Sequence, residues 1–326
     1  MKILSFTSLF LIPIVELVDS TEVVIFYNAY FPEYPDLALD IVKEQLKYRE
    51  NSTYPQAPLH YVTIGKDVGE LENCENCRKL KHFNIGNETR TLSYLYRYCY
   101  NHQNETVAYI HNKGSFHENY RQGIFRRMLT KSVFSNECLL MKTPQTTRPH
   151  EESTCKCNIC SARFSPIPHL HTSGNMWVSK CSYVAKLIHP SLFQLAMHQM
   201  AKSAPIQKFG NVSNVEEHIA GLGRYASEHW IHSHPDMCPC DVYPNTRYRF
   251  GYEPLPQNDD WVPDLSKAPR HSTFNRNAVF VVRGERSTED KWFTIEGRKY
   301  EWKFLYGKIP DKESWAWIYY PHSRQR

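Results

Sequence analysis

The stretch Val107-Ala-Tyr-Ile-His-Asn-Lys-Gly114 joins a short apolar run to a polar tetrad. The apolar half predicts a buried strand, and ligands of open α/β sheets bind beyond the carboxyl ends of such strands. The tetrad His111-Asn112-Lys113-Gly114 is therefore a candidate site by position alone. Lys113 offers a point charge for a phosphate, and Gly114 allows close backbone approach. The alternative is a turn that caps the following helix, and the residues alone leave both open.

The elements around this strand alternate between strands and helices. The predicted order is a strand, a helix, a second strand, a polar loop around Cys74 to Cys77, a helix and the third strand. The segments are Val23–Tyr27, the helix with Leu39, Val42 and Leu46 on one face, Tyr61–Ile64, the helix with Leu92, Leu95 and Cys99, and Val107–Ile110. This alternation predicts an α/β fold with a Rossmann-type, mostly parallel sheet flanked by helices.

A second polar concentration lies at His169-Leu-His-Thr-Ser-Gly-Asn-Met-Trp177. Nine residues hold two imidazoles, two hydroxyls, an amide, a glycine and an indole. The apolar residues that follow, from Val178 to Ile188, have near-helical spacing and predict a helix directly after the loop. The composition of the loop indicates a place that holds a polar, ring-shaped ligand.

A third concentration lies at Glu228, His229, His232 and His234. The segment from Val215 to Trp230 is predicted to be helical, and a helix continuing beyond it would put Glu228 and His232 on one face. Glu228 is then a candidate general base, and His232 and His234 are candidate metal ligands. The alternative is a capped helix end whose imidazoles bond backbone carbonyls.

Ten cysteines occur, several of them in a Cys155-x-Cys157-x-x-Cys160 cluster within a low-periodicity stretch from about residue 143 to 168. We interpret this stretch as a crosslinked loop, because disulfides are the default in an oxidising compartment. The competing hypothesis is a zinc site that uses Cys155, Cys157, Cys160 and a nearby histidine. Its ligand spacing is irregular for structural zinc, so disulfides are favoured.

The ends of the chain differ in character from the middle. Residues 1–20 contain a short apolar run and predict a cleaved signal peptide, with a short signal anchor or a buried first element as alternatives. We expect the protein in the secretory pathway (ER or Golgi lumen) or secreted, and not as a multi-span membrane protein. Residues 246–326 change from Pro- and aromatic-rich sequence to short apolar runs, and predict a small β-rich appendage with a hairpin at Glu296-Gly297.

The net charge of +5 is spread out, and no dense Lys/Arg run resembles a nucleic-acid footprint, so no nucleic-acid partner is expected. The aromatic fraction of 13% is high, and Tyr and Trp are common where a protein surface meets sugars. They also fill cores, so composition indicates a sugar ligand only weakly.

Three motifs in this order resemble the glycosyltransferases related to the rhamnan-synthesis F proteins. They are Tyr109-Ile-His-Asn-Lys-Gly114, then His171-Thr-Ser-Gly-Asn-Met-Trp177 with Tyr183 and Leu187, then Arg224-Tyr-Ala-Ser-Glu-His-Trp230. The resemblance covers roughly residues 23–243, and the middle motif is the most specific. It implies a GT-A-like domain over residues 21–245 that passes a sugar from a nucleotide-sugar donor to a glycan or glycoconjugate acceptor.

The resemblance also implies roles for individual residues. His111, Asn112, Lys113 and Gly114 would lie near the donor phosphates, Arg224 would belong to the donor site, and Glu228 would be the base. The remaining donor- and sugar-binding residues by this resemblance are His171, Ser173, Gly174, Asn175 and Trp177.

One departure from the pattern concerns metal. Many GT-A enzymes carry an Asp-x-Asp pair where this chain has His111-Asn-Lys-Gly114, so the usual Mg²⁺ or Mn²⁺ clamp lacks its carboxylates. Cations such as Lys113 would replace the metal, or metal would enter through His232 and His234, or the donor site is degenerate. The last reading makes a secreted carbohydrate-binding protein or inactive relative the alternative function.

Overall fold

The computed structural model describes residues 22–115, 119–141, 156–165, 171–195, 223, 225–234, 236–243 and 261–263. It also describes the backbone of residues 282–283, 292–295, 298–305 and 315–319. The predicted signal peptide at residues 1–20 lies outside this part of the chain.

The helices of the described part are α1 Asp36–Glu50, α2 Thr89–Asn101, α3 Tyr120–Val133, α4 Asn136–Leu139, α5 Cys181–Val184 and α6 Tyr225–Trp230. The strands of the first half are β1 Val23–Phe31, β2 Leu59–Gly65, β3 Cys77–Phe83 and β4 Thr106–His111. The strands that follow are β5 Ile159–Ser161, β6 Phe164–Ser165, β7 His171–Thr172, β8 Trp177–Lys180 and β9 Pro239–Asp241.

Seven of these strands form one sheet in the order β3-β2-β1-β4-β8-β5-β9. Strand β8 runs antiparallel to both of its neighbours, β4 and β5, and the remaining pairs are parallel. Six strands therefore point the same way, which confirms the predicted α/β fold with a mostly parallel sheet. Their carboxyl ends, together with the start of β8, share one edge.

Strands β1, β2 and β4 are buried on both faces, as the near-continuous apolar runs of β1 and β4 predict. Side chains of β1 alternate between two clusters: Ile25 and Tyr27 belong to one, and Val24 and Phe26 to the other. The first cluster contains apolar residues of α1 and α3, and the second contains those of α2, α5 and α6. The helices thus cover both faces of the sheet.

Three predictions of secondary structure are wrong. The predicted loop at Cys74 to Cys77 leads directly into strand β3, whose charged and half-exposed side chains suit the edge of the sheet. The predicted crosslinked loop contains β5, a strand inside the sheet. The predicted helix over Val178 to Ile188 begins as strand β8, and its regular helix covers only Cys181–Val184. Pairing with β4 and β5 outweighs the helical spacing of these apolar residues.

The cysteines confirm the disulfide interpretation. Four pairs are Cys74–Cys77, Cys99–Cys181, Cys138–Cys160 and Cys157–Cys240, and none of the described cysteines is free. Two thiols of the proposed zinc cluster, those of Cys157 and Cys160, are therefore consumed. The zinc hypothesis for this cluster is wrong, because a disulfide sulfur is no longer a thiolate ligand.

The backbone beyond residue 281 forms a separate antiparallel sheet. Its strands are β10 Val282–Arg283, β11 Trp292–Ile295, β12 Arg298–Leu305 and β13 Trp315–Tyr319, in the order β10-β13-β12-β11. Ile295 pairs with Arg298 across two intervening residues, so the hairpin predicted at Glu296-Gly297 is confirmed. The predicted domain limits at residue 245 remain a prediction. No helix in the described part of the chain is long and apolar enough to cross a membrane.

Candidate functional site

The sheet has a topological switch point between β1 and β4, where the strand order reverses. Asn112 lies there, directly after β4. Its Oδ1 accepts from the backbone N–H of Tyr30 at 2.8 Å, and its Nδ2 donates to the carbonyl of Tyr30 at 2.7 Å. The Asn112 side chain therefore joins the ends of the two strands and is fully used in doing so.

The backbone of His111 is held from beneath by a buried glutamine. Gln45 of α1 donates to the carbonyl of His111 at 3.1 Å and to the hydroxyl of Thr130 at 2.9 Å, while it accepts from the hydroxyl of Tyr27 at 2.7 Å. Gln45 is completely buried and hydrogen bonded on both sides of its amide. Such a satisfied network fixes the end of β4 in one position.

Glu88, immediately before α2, is the central residue that sequence reasoning missed. Its Oε2 accepts from the hydroxyl of Tyr109 at 3.0 Å and from Nδ2 of Asn175. The carboxylate is about one quarter exposed, so it is held by the protein and still accessible at the carboxyl edge. The sequence signal for Glu88 is its place in Asn87-Glu-Thr89, in the connection between a strand and a helix. The strand, β3, is not predicted from the sequence.

His111 faces Glu88 across a gap. Its Nε2 lies 2.7 Å from the carbonyl oxygen of Gly174, and its Nδ1 lies 4.0 Å from Oε1 of Glu88. A carbonyl can only accept, so Nε2 carries the proton of the ring and the neutral ring presents an Nδ1 lone pair. Burial lowers the pKa of His111, the Glu88 carboxylate opposes this shift and Lys113 adds to it. The neutral ring is therefore favoured at neutral pH.

The loop between β7 and β8 has a demanding backbone. Gly174 has φ +84°, and a Cβ at this position would come within 2.5 Å of Leu129 Cδ1. Asn175 has φ +46°, a conformation that asparagine tolerates better than most residues. Its Oδ1 accepts from Trp177 Nε1 at 2.9 Å while its Nδ2 donates to Glu88. Trp177 thereby orients Asn175, and Asn175 orients Glu88.

Trp177 and Asn175 are both completely buried. The Trp177 ring packs against Tyr109 at 5.3 Å and Trp230 at 6.2 Å between ring centroids. These two residues lie behind the accessible part of the site. Trp177 and Asn175 influence the site by fixing the position of Glu88, and the carbonyl of Gly174 does so by fixing the ring of His111.

Two cations flank one aromatic ring at the same edge. Lys113 Nζ lies 5.4 Å and the Arg163 guanidinium carbon 5.1 Å from the centre of the Phe125 ring. Gly114 has φ +88°, and the Arg126 guanidinium donates to the carbonyl of Lys113 at 3.2 Å. Positive charge is thus concentrated beside the His111 end of β4. This arrangement suits an anionic ligand.

Arg163 occupies a turn that Asp241 stabilises. The Asp241 carboxylate, completely buried at the end of β9, accepts from the backbone N–H groups of Arg163, Phe164 and Tyr243, each at 2.9 Å. Arg163 has φ +62° in this turn. Burial raises the pKa of Asp241 to about 8, although the three N–H donors and the charge of Arg163 lower it. The buried carboxyl group therefore shapes the backbone that presents Arg163.

His171 and Ser173 lie in the same loop as Gly174, each less than one tenth exposed. Nε2 of His171 and the hydroxyl of Ser173 are 3.3 Å apart, and the backbone N–H of Ser173 donates to the carbonyl of Arg163 at 3.2 Å. The loop is therefore tied to the Arg163 turn. The structure brings together seven of the sequence-predicted residues at one edge: His111, Asn112, Lys113, Gly114, Ser173, Gly174 and Asn175.

Glu228 lies on α6, which packs against β7, and its side chain is half-buried. The helix ends at Trp230, so the expectation of Glu228 and His232 on one helical face is wrong. His232 is buried with Nε2 2.8 Å from the Thr172 hydroxyl. His234 Nδ1 accepts from the backbone N–H of Asp236 at 3.1 Å. Arg224 lies outside the described residues.

The two candidate metal ligands thus have separate local roles. Burial lowers the pKa of His234 to about 4, partly opposed by Asp236. Among the described residues no three side chains of His, Cys, Asp or Glu are grouped as metal ligands. At the end of β4, the Asn112 amide is committed to Tyr30 and Lys113 is itself a cation. These residues do not fit a Mg²⁺ or Mn²⁺ clamp.

Exposed aromatic rings surround the same edge. Tyr34 follows β1 and is 85% exposed, and Tyr120 begins the helix after β4 and is 74% exposed. An exposed tyrosine offers an apolar face and a hydroxyl, the combination that suits a sugar ring.

Fold and site together define an α/β protein with a polar, partly cationic group of side chains at the switch point of a mostly parallel sheet. The model of one family, described as a domain of unknown function (DUF8361), matches residues 26–319, and the chain belongs to this family. A comparison with curated proteins finds no match.

Proposed function

We propose that the protein is a glycosyltransferase that passes a sugar from a nucleotide-sugar donor to a glycan or glycoconjugate acceptor. The observation that carries the proposal is the group of His111, Glu88 and Lys113 at the carboxyl edge beside the β1/β4 switch point. Ligands of open α/β sheets bind at such a place. The order β3-β2-β1-β4 is that of a nucleotide-binding half sheet, which supports a GT-A-like assignment.

The charges of the site support a donor with a diphosphate. Lys113 lies at the edge where a phosphate would meet the end of β4, and the buried Arg163 adds positive charge on the other side of the Phe125 contact. A nucleoside diphosphate leaving group develops negative charge, and nearby fixed cations stabilise that charge. In this proposal cations take the place of the metal clamp, because the described residues at this edge provide a single carboxylate, that of Glu88, and no group of three metal ligands.

The remaining residues have proposed roles in the same scheme. The acceptor hydroxyl loses its proton to a carboxylate as its oxygen bonds to the donor sugar carbon, and the bond from that carbon to the phosphate oxygen breaks. Glu228 is the candidate base by resemblance, and the helix that carries it, α6, packs against β7. Tyr34 and Tyr120 offer surfaces for the sugar or acceptor.

The cellular setting follows from the cysteines. Four disulfides, two of them closing loops of 82 and 83 residues, fit an oxidising compartment. The proposed setting is the lumen of the ER or Golgi, or outside the cell.

The test uses the disulfide-intact protein with a panel of nucleotide sugars, with and without glycan acceptors. We expect turnover of one donor and strongly reduced acceptor-dependent transfer in Glu228→Gln. Glu137→Gln, which removes a carboxylate from α4, is the matched control. Unchanged transfer in Glu228→Gln removes that residue as the base.

The alternative is a carbohydrate-binding protein or an inactive relative. The observation that favours it is that no acidic pair follows β4. The side chain at this place, Asn112, is instead bound to the backbone of Tyr30. Such a protein binds free glycan and releases no nucleoside diphosphate from any donor.

A further inference from the structure

The two atoms that face each other between Glu88 and His111 are both hydrogen-bond acceptors. Glu88 Oε1 and His111 Nδ1 are 4.0 Å apart, too far for a direct hydrogen bond. The carbonyl of Gly174 fixes the ring proton on Nε2, so Nδ1 of the neutral ring has no hydrogen to offer. No donor from the described residues lies on either atom.

The other half of each group is occupied. Glu88 Oε2 already accepts from Tyr109 and Asn175, and these two contacts fix the plane of the carboxylate. His111 is fixed by its bond to Gly174 on the side of Nε2. The described part of the chain therefore holds two acceptors in fixed positions and supplies no donor to them. A partly accessible pair of this kind binds a ligand that supplies two donors.

We propose that Glu88 Oε1 and His111 Nδ1 form a binding site for a vicinal diol of a sugar. Each hydroxyl of the diol donates to one of the two acceptors. Two adjacent hydroxyls are a neutral ligand group that presents two donors side by side. The exposed rings of Tyr34 and Tyr120 lie at the same edge of the sheet. This inference rests on the proposed function for the source of the sugar, and its geometry does not depend on transfer.

A cation with several N–H donors also satisfies two acceptors. Lys113 follows His111 by two residues, and it adds positive charge on this side of the site. That charge offsets part of the attraction that the Glu88 carboxylate exerts on an ammonium or guanidinium ligand. Binding of neutral methyl glycosides therefore separates a diol site from an amine site.

The site also has a defined response to acid. When Nδ1 of His111 gains a proton, it no longer accepts a hydrogen bond, and its positive charge lies 4.0 Å from Glu88 Oε1. The charged groups that face His111 are Glu88, which favours this proton, and Lys113, which opposes it. Binding of the diol is therefore expected to weaken as the pH falls through the titration of His111.

The experiment follows the imidazole nitrogens of His111 by NMR in the full, disulfide-intact chain. The probes are methyl pyranosides of mannose, galactose, glucose and rhamnose, their single-deoxy analogues, and the corresponding UDP- and GDP-sugars. We expect at least one sugar to shift the Nδ1 resonance, and its analogue lacking one hydroxyl of the diol to bind at least about tenfold more weakly. Inorganic pyrophosphate, which carries the charge of the diphosphate but no diol, should leave Nδ1 in its free state.

Glu88→Gln is the decisive variant. The amide oxygen that it introduces can accept from Tyr109 and Asn175, so the amide nitrogen replaces the acceptor Oε1 on the side of His111. This removes one of the two acceptors while the fold keeps its contacts, and we expect a loss of at least about tenfold in sugar affinity. Glu33→Gln is the matched control, because Glu33 is an exposed carboxylate in the connection after β1.

The outcomes separate this inference from the proposed function. Donor turnover without any sugar-dependent shift of Nδ1 overturns the diol site and leaves the transferase intact. A diol-dependent shift without turnover supports the diol site and contradicts the transferase. If Glu88→Gln does not fold, the wild type decides: equal binding of a sugar and of its analogues that lack one hydroxyl of the diol overturns the diol site.

Discussion

The side-chain amide of Asn175 joins Trp177 to Glu88: it accepts from the indole and donates to the carboxylate. The glutamate lies 87 residues earlier in the chain than the asparagine. Because Asn175 and Trp177 are buried, these two hydrogen bonds connect an accessible carboxylate to side chains with fixed positions in the core. Its residues set the position of Glu88 without touching solvent.

Replacing Asn175 by Ala should destabilise the fold. The variant leaves the buried indole N–H of Trp177 without its acceptor. It also puts an alanine, whose side chain cannot form a local hydrogen bond, at φ +46°. We expect a loss of about 2–4 kcal/mol in the free energy of unfolding, measured by chemical denaturation. Asn175→Gly accepts the backbone conformation, so the difference between the two variants isolates the strain. Equal, negligible losses in both would contradict the proposed hydrogen-bond chain.

Gly174→Ala should be destabilising for reasons of space as well as conformation. The added Cβ would lie 2.5 Å from Leu129 Cδ1 and 3.2 Å from Phe125 Cζ. Gly69→Ala is the control, since Gly69 has φ +75° but nothing within 4 Å of its added Cβ. Strain alone predicts about 1–2 kcal/mol for Gly69→Ala, and overpacking adds about 1–3 kcal/mol for Gly174→Ala. Similar melting temperatures of the two variants would disprove the close packing at Gly174.

The long-range disulfides should matter more than the short one. Removing Cys99–Cys181, which closes 82 residues, is expected to cost about 4–5 kcal/mol, because the crosslink restricts the unfolded chain. Removing Cys74–Cys77, which spans three residues, is expected to cost about 1–2 kcal/mol by the same reasoning. Paired Cys→Ala variants and thermal unfolding check this order. A larger effect at Cys74–Cys77 would contradict it.

Asp241 should make stability depend on pH. Its pKa in the fold, about 8, lies above the ordinary value of 3.8, so the folded state binds the proton more tightly than the unfolded state. The resulting stability is fully present below about pH 4 and is lost as the pH rises through about 8. We expect the free energy of unfolding to fall as the pH rises over this range, with a slope that corresponds to at most one bound proton. Asp241→Asn should remove this slope. An unchanged slope in Asp241→Asn would show that Asp241 is ionised throughout.

The sequence was sufficient for elements whose local pattern agrees with their tertiary place. Strands β1, β2 and β4 are apolar runs, and the helix that follows the polar tetrad is α3, which buries Ile124, Met128 and Leu129. Strand β3 was missed because its position at the edge of the sheet lets it keep the polar sequence CRKLKHF. Strand β8 was mistaken for a helix because its apolar residues continue into α5 with helical spacing.

The candidate site was predictable only in part. The residues after β4 and the Gly174-Asn175 loop were found because their polar groups are concentrated along the chain. Glu88 was not found, because its place in the site depends on contacts with Tyr109, His111 and Asn175, which are distant in sequence. Recognising β3 would have placed Glu88 in a strand–helix connection at the carboxyl edge.

The most direct test of the proposed function measures the release of nucleoside diphosphate from nucleotide sugars by the wild type, by Lys113→Ala and by Lys186→Ala. Lys186 follows α5 at the opposite edge of the sheet and is paired with Asp236, so it serves as the control. The proposal predicts release from one donor by the wild type and by Lys186→Ala, and at least about tenfold slower release by Lys113→Ala. Glycan binding without release from any donor, or equal release by all three proteins, would contradict it.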